Sequence, residues 1–140
     1  MTDQTQPSPA PTQVQPPQAR TVKKVLIVED EKPMAKALEV KLNKSGFAAK
    51  AVFNGQQALE VLTAEKYDLA LLDLMMPEMD GFDVLSKIRE KQLGIKVIVT
   101  SNLSQEEDIK KAKALGAVDF LVKSNVSLAD IVAKVTTLLQ

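Results

Sequence analysis

From Lys23 onward, short continuous apolar runs alternate with stretches whose apolar residues recur every three or four positions. Val25-Leu26-Ile27-Val28 is a β-rich run that ends at Glu29-Asp30 and reads as a strand buried on both faces. The next stretch predicts a helix with Pro33 in its first turn, where a missing N–H costs little. Met34, Leu38 and Leu42 share one face of it, and Gly46 suits its C′ position. Phe47 to Phe53 is a second, weaker strand, interrupted by Lys50. Asn54-Gly55-Gln56-Gln57 then opens a helix through about Lys66, with Ala58, Val61 and Leu62 inward.

Leu69-Ala70-Leu71-Leu72 is a third strand that runs straight into Asp73, followed by a loop holding Pro77 and Asp80-Gly81. Phe82, Leu85 and Ile88 mark a third helix ending near Gly94. Ile95 to Val99 is a fourth strand, delivering Thr100-Ser101-Asn102 at its carboxyl end. Ser104-Gln105-Glu106-Glu107 has the capping-box pattern and predicts a fourth helix to Leu115-Gly116. Val118 to Val122 is a fifth strand, delivering Lys123. Ser127-Leu128-Ala129-Asp130 repeats the capping pattern before a last helix that buries Leu128, Ile131, Val132, Val135 and Leu139. Five βα units with short connections imply an α/β fold, a parallel sheet with helices on both faces. Right-handed crossovers make a five-stranded doubly wound sheet the natural topology.

Composition separates one region from this pattern. Five of the seven prolines (Pro7, Pro9, Pro11, Pro16, Pro17) lie at the N-terminus, interleaved with glutamines. Residues 1–21 therefore read as a disordered Pro/Gln-rich tail, with too few large apolar side chains to offset the entropy of ordering, ahead of a domain over 22–140. Lysine plus arginine balances aspartate plus glutamate, 18 against 18, so net charge points to neither nucleic acid nor a membrane surface. No run is long enough to span a bilayer and no secretory signal is present, which makes a cytoplasmic location the default.

The chain has no cysteine and no histidine. Disulfides, zinc-thiolate sites, thiol catalysis and the usual general base are therefore excluded. Chemistry must rest on carboxylates, hydroxyls, amines and hard metal ions. The strand ends bring Glu29, Asp30, Asp73, Thr100 and Lys123 to one edge of the sheet, where open α/β sheets gather their ligands. Taken alone, Asp73 reads as a cap or a satisfied loop residue, since aspartate is common in turns. Its companions change that reading. Three gathered carboxylates repel unless one is protonated or a divalent hard cation neutralises them, and magnesium suits the oxygen donors best. Cation, ammonium and hydroxyl together suit a phosphoryl group, which a carboxylate can accept covalently as an acyl phosphate.

These residues carry a resemblance. Val25-Leu26-Ile27-Val28-Glu29-Asp30-Glu31, then Asp73-Leu74-Met75-Met76-Pro77-Glu78-Met79-Asp80-Gly81, then Thr100-Ser101, then Leu115-Gly116-Ala117-Val118-Asp119-Phe120-Leu121-Val122-Lys123 occur in the order and at about the spacing of bacterial response-regulator receiver domains, the CheY-like family. From Lys23 to Gln140 the chain resembles that family, in its stand-alone single-domain form. The resemblance implies a flavodoxin-like fold with strand order 2-1-3-4-5. It implies phosphorylation of Asp73 from a phosphohistidine on a sensor histidine kinase or histidine phosphotransfer protein, and with no histidine here the donor is another molecule.

Carried over by position, Asp30, Asp73 and the backbone carbonyl of Met75 would bind magnesium directly, with manganese able to replace it. Glu29 would act mostly through water. Thr100 and Lys123 would hold the phosphoryl oxygens, and Phe120 falls at the aromatic switch position. Such a domain is a phosphoacceptor that assists its own phosphotransfer and autodephosphorylation, not a turnover enzyme. The chain ends with the fifth helix, so the expected output is a changing surface, the face of the fourth helix, fifth strand and fifth helix, read by an unknown protein target. A monomer or weak dimer is expected, with neither nucleic acid nor membrane as partner.

Three departures stand out: Ser124 follows Lys123 where the family usually has proline, Phe120 stands where it often has tyrosine, and Glu29 fills the first acidic position, a common variant whose longer side chain suits water mediation better than direct ligation. Met75, Met76 and Met79 are packing residues, since thioethers are poor partners for a hard cation. An aspartate-nucleophile phosphatase would want a second acid two residues after Asp73, where Met75 stands. A flavodoxin would want a phosphate-cradling loop after the first strand, where Glu29-Asp30 would repel phosphate. The intact chemical set argues against a scaffold that works unphosphorylated.

Overall fold

The computed structural model describes residues 22–140. The tail predicted for 1–21 lies outside the described residues. Five strands, β1 (Lys24–Val28), β2 (Ala48–Val52), β3 (Leu69–Asp73), β4 (Lys96–Ser101) and β5 (Asp119–Val122), alternate with five helices. These are α1 (Lys32–Lys44), α2 (Gly55–Ala64), α3 (Gly81–Glu90), α4 (Glu106–Ala114) and α5 (Leu128–Leu139). All neighbouring strands pair in parallel, in the order β2-β1-β3-β4-β5. This is the flavodoxin-like, doubly wound arrangement expected from the sequence.

The unbroken apolar runs of β1 and β3 follow from burial on both faces. Leu26, Val28, Ala70, Leu72, Val97 and Val99 pack against α2, α3 and α4. The alternate residues Val25, Ile27, Leu69, Leu71 and Ile98 pack against α1 and α5. Side chains alternate across a strand, so a two-sided core leaves no polar position within it. β2 lies at the sheet's edge, with exposure alternating along it, and there Lys50 is tolerated in the solvent. Among the described residues no helix is long and apolar enough to cross a membrane.

Three boundaries differ from the sequence reading. α2 ends at Ala64, because Glu65 turns extended and its carboxylate accepts a hydrogen bond from Lys24 Nζ at 3.0 Å. α3 ends at Glu90, four residues before Gly94, where Gln92 enters the left-handed region at φ 51°. The predicted capping box at Ser104 does not form. α4 starts after Gln105, whose carbonyl accepts from Asp108 and Ile109 N–H, and no side chain caps it. The box at Ser127 does form, Ser127 Oγ accepting from Asp130 N–H and Asp130 Oδ2 from Ser127 N–H.

Candidate functional site

Parallel register fixes what meets at the carboxyl edge. Val28 lies opposite Leu72, Asp73 opposite Thr100 and Ser101 opposite Val122. The residues that follow β1 and β5 in the chain, Glu29-Asp30 and Lys123, therefore come to the same rim as Asp73. Glu29, Asp73 and Thr100 are buried, at 1%, 3% and 3% exposure, and Asp30 is half-buried. One carboxylate oxygen from each of Glu29, Asp30 and Asp73 lies within 4.8 Å of the others.

Lys123 closes the group. Its Nζ stands 2.7 Å from Glu29 Oε1 and 3.2 Å from Asp73 Oδ2. The contact to Glu29 is an ion pair without hydrogen-bond alignment, so Glu29 Oε1 is buried with no aligned donor. Asp73 is better held, with Oδ1 accepting from Met75 N–H at 3.1 Å and Oδ2 from Lys123. Burial pushes the Glu29 carboxyl up to about 7, against the pull of Lys123 and with a further push from Asp73. Burial raises Asp73 as well, although Met75 N–H and Lys123 oppose it. For Lys123 burial works downward, but the two carboxylates outweigh it and hold the ammonium above its ordinary value. One ammonium thus under-compensates two buried carboxylates and a third beside them.

That imbalance is what a hard divalent cation removes. The donors are all oxygen, two of the three carboxylates are buried, and a buried carboxylate oxygen lacks an aligned donor. The set fits magnesium or manganese and no soft metal. A hollow of about 210 Å³ opens over the group, lined by Asp30, Glu31, Asp73, Met75, Asn102 and Lys123. It opens to solvent.

The sequence reading gave no role to Glu31 or Asn102. Glu31 Oε1 stands 3.8 Å from Lys123 Nζ, a third acid on the same ammonium, and its N–H donates to Glu29 Oε2. Its place directly after Glu29-Asp30 was the available signal. Phe120 is half-buried and packs against the α2–α4 side of the core. The register sets it opposite Val99, whereas Leu121 is opposite Thr100. Ring and hydroxyl therefore lie on different faces of the sheet and do not meet directly. Ser124 is exposed, within a single 3₁₀ turn (Lys123–Asn125), so Lys123 is held by its carboxylates rather than by its loop.

The loop between β3 and α3 sets the far wall. Asp80 caps α3 by accepting from Asp83 N–H, and Gly81 N–H donates to Leu74 O. A Cβ on Gly81 would lie 2.6 Å from Asp73 O, so only glycine lets the helix start this close to the acid.

The order β2-β1-β3-β4-β5 with a buried acid-and-lysine cluster at its carboxyl edge defines a flavodoxin-like α/β protein whose charged groups gather at one rim. Comparison with known proteins narrows the class to one family. The chain belongs to the response regulator receiver domain family, matched over residues 25–136. It is 37% identical over 100 residues to the transcriptional regulatory protein DltR of Streptococcus agalactiae, covering 71% of this chain and 45% of that protein. It is 35% identical over 117 residues to the transcriptional regulatory protein CusR of Escherichia coli, covering 84% and 51%. The chain thus spans about half the length of these relatives. The solved receiver domain of Francisella response regulator 1452 superposes with a TM-score of 0.79 at 29% identity, over 84% of this chain and 96% of that one. A response regulator from Thermotoga maritima gives 0.75 at 27%, over 84% and 98%. The chain is a receiver domain of two-component response regulators.

Proposed function

We propose that Asp73 accepts a phosphoryl group from a phosphohistidine on a sensor histidine kinase or a histidine phosphotransfer protein. The observation that carries this reading is the buried Asp73 carboxylate, bonded to Lys123 Nζ at 3.2 Å within the Glu29–Asp30–Asp73 cluster. A carboxylate oxygen of Asp73 forms the bond to phosphorus. The phosphorus–nitrogen bond of the donor breaks, and its electron pair returns to the imidazole. Met75 N–H and Lys123 fix the carboxylate, so the reacting geometry is set before the donor arrives.

Asp30, Asp73 and the Met75 carbonyl are the direct magnesium ligands in this reading, with Glu29 acting through water. Magnesium, when bound, neutralises charge on the transferring group. Lys123 and the Thr100 hydroxyl take the phosphoryl oxygens. Hydrolysis of the acyl phosphate by water in the same pocket resets the domain. The output is a change in the face of α4, β5 and α5, with Phe120 as its aromatic element, read by a protein target. A cytoplasmic setting belongs to the same proposal.

The test is incubation with a small acyl-phosphate donor and magnesium, read by intact mass. One phosphoryl group is expected, not formed when magnesium is chelated beforehand and absent from Asp73→Asn. Equal labelling of that variant would overturn the assignment.

A further inference from the structure

α4 is fastened at one end. Its C-terminus closes in a Schellman arrangement, Ala117 N–H donating to Ala112 O at 3.0 Å and Gly116 N–H to Lys113 O at 3.0 Å. Gly116 takes the left-handed conformation this needs, at φ 110°. From α3, Arg89 reaches across and its Nη1 donates to Ala114 O at 2.5 Å, on the last carbonyl of the helix. A guanidinium there satisfies an orphan acceptor and opposes the negative end of the helix dipole. One turn earlier, Lys111 Nζ lies 4.3 Å from the ring centroid of Phe82, again on α3.

The other end has no such fastening. No side chain caps Gln105, and the first turn carries Glu106 and Glu107 exposed to solvent. The one fully buried residue of the helix is Ala112, in its C-terminal half. This N-terminal end is also the end nearest the pocket, because it follows Thr100-Ser101 through a short turn in which Leu103 N–H donates to Ser101 Oγ. An open hollow of about 190 Å³ lies beside the C-terminal end, lined by Leu93, Val97, Leu115 and Gly116 among others, with Arg89, which bonds Ala114 O, in its wall.

We infer that Arg89 is the fulcrum of α4: it pins the C-terminal end to α3, so a disturbance at Thr100-Ser101 swings the N-terminal end while the far end stays in place. Local stability follows the number of buried contacts and protected bonds, so the two ends of the helix open with different free energies. A helix hinged at one end converts a small shift at the pocket into a larger one at its free end. A helix loose at both ends would slide or fray instead.

The inference extends the proposed switching of the α4 face, and its first test does not depend on phosphorylation. In native-state hydrogen exchange, the amides of Ile109 and Lys110 should exchange faster than those of Leu115, Gly116 and Ala117. Arg89→Ala should accelerate the latter three about fivefold, consistent with losing one exposed charge-assisted hydrogen bond, and leave Ile109 unchanged. Arg89→Lys, which keeps the charge but not the fork, should fall between. Arg89 is exposed, so these variants retain the core. If exchange at residues 115–117 is the same in Arg89→Ala as in the wild type, the fulcrum is refuted. A second arm adds the acyl-phosphate donor and magnesium. Within α4 and its C-terminal turn, chemical-shift changes should stay in residues 101–110 in the wild type and spread through 117 in Arg89→Ala, whatever happens at Phe120 in β5. Spread through 117 in the wild type itself would refute the pinned end. Absence of any shift in a protein that passes the exchange test would count against the switching proposal, not against the fulcrum.

Discussion

Lys123 meets Asp73 across 50 positions of sequence, its Nζ 3.2 Å from Asp73 Oδ2, and the same nitrogen lies 2.7 Å from Glu29. Fold and chemistry are joined at that ammonium. It is the positive charge that lets β1 and β3 end in carboxylates at one buried rim.

Replacing it tests that dependence. Lys123→Met leaves Glu29 and Asp73 facing one another without a cation. The metal-free variant should lose about 1–3 kcal/mol, the cost of a buried polar group left without its partner. That corresponds to roughly 4–12 °C in Tm for a domain of this size. Excess magnesium should recover most of the loss, because a ligand that binds only the folded state stabilises it by mass action. Thermal melts with and without magnesium decide the matter, and a variant as stable as the wild type in chelator contradicts it.

Gly81 is held to glycine by backbone, not by a flexible side chain. Gly81→Ala places its Cβ 2.6 Å from Asp73 O and Leu74 Cα. Overpacking of this kind costs about 1–3 kcal/mol, and here it also moves the Asp73 carbonyl. The expected result is a lower denaturation midpoint together with slower acyl-phosphate labelling. Gly46→Ala is the comparison: its Cβ meets nothing within 4 Å, though its φ of 98° strains any other residue. That variant should lose stability and keep its labelling rate. Equal labelling by both would separate Gly81 from the pocket.

Asp119 ties β5 to α5 through Lys134 Nζ, 2.9 Å from its Oδ2. Burial alone would raise this carboxyl, but Lys134 and the Phe120 N–H outweigh burial and hold it below its ordinary value. A carboxylate lowered on folding adds stability that is present above the unfolded pKa and is lost as pH falls through the folded one. Asp119→Asn should therefore melt lower than the wild type at neutral pH. The difference should shrink through the acid range below the ordinary aspartate value. The pair is partly exposed, so the effect is small and weakened by salt. An unchanged difference at low pH would assign the effect to packing instead.

The sheet and its rim were legible because their signals are local. Apolar runs ending in Asp73 or in Glu29-Asp30 announce both a buried strand and what it delivers, and parallel order then brings the ends together. Helix ends were less legible, since they depend on partners distant in sequence. Ser104 has the spacing of a capping box, yet the chain turns at Ser101 first and Gln105 takes the cap position. The role of Arg89 at Ala114 O has no local pattern at all, because 25 residues separate donor from acceptor. Glu31 on Lys123 was half visible, as the third residue of an acidic run whose reach only coordinates reveal.

The pocket can report its state through Thr100. Thr100 lies opposite Asp73 in the register and is buried, so its hydroxyl can turn to a phosphoryl oxygen on Asp73 with little backbone movement. Such a bond is charge-assisted and exists only in the phosphorylated form, which is what a bias between two arrangements requires. Phe120 cannot receive the signal by touching Thr100, because it pairs with Val99 on the other face. The path must instead run through the backbone of β4, where a shift of Thr100 carries Val99 on one side and Ser101 on the other. From Val99 it reaches the Phe120 ring, and from Ser101 it reaches the turn into α4. Thr100→Ala should still accept phosphoryl, since Asp73 and Lys123 are untouched, but NMR shift changes over residues 104–110 and at Phe120 should weaken. Thr100→Ser keeps the hydroxyl and should restore most of them. If Thr100→Ala gives wild-type changes at both Phe120 and α4, the hydroxyl carries no signal and the β4 route fails. If only the Phe120 changes persist, the two branches are independent and α4 alone depends on Thr100.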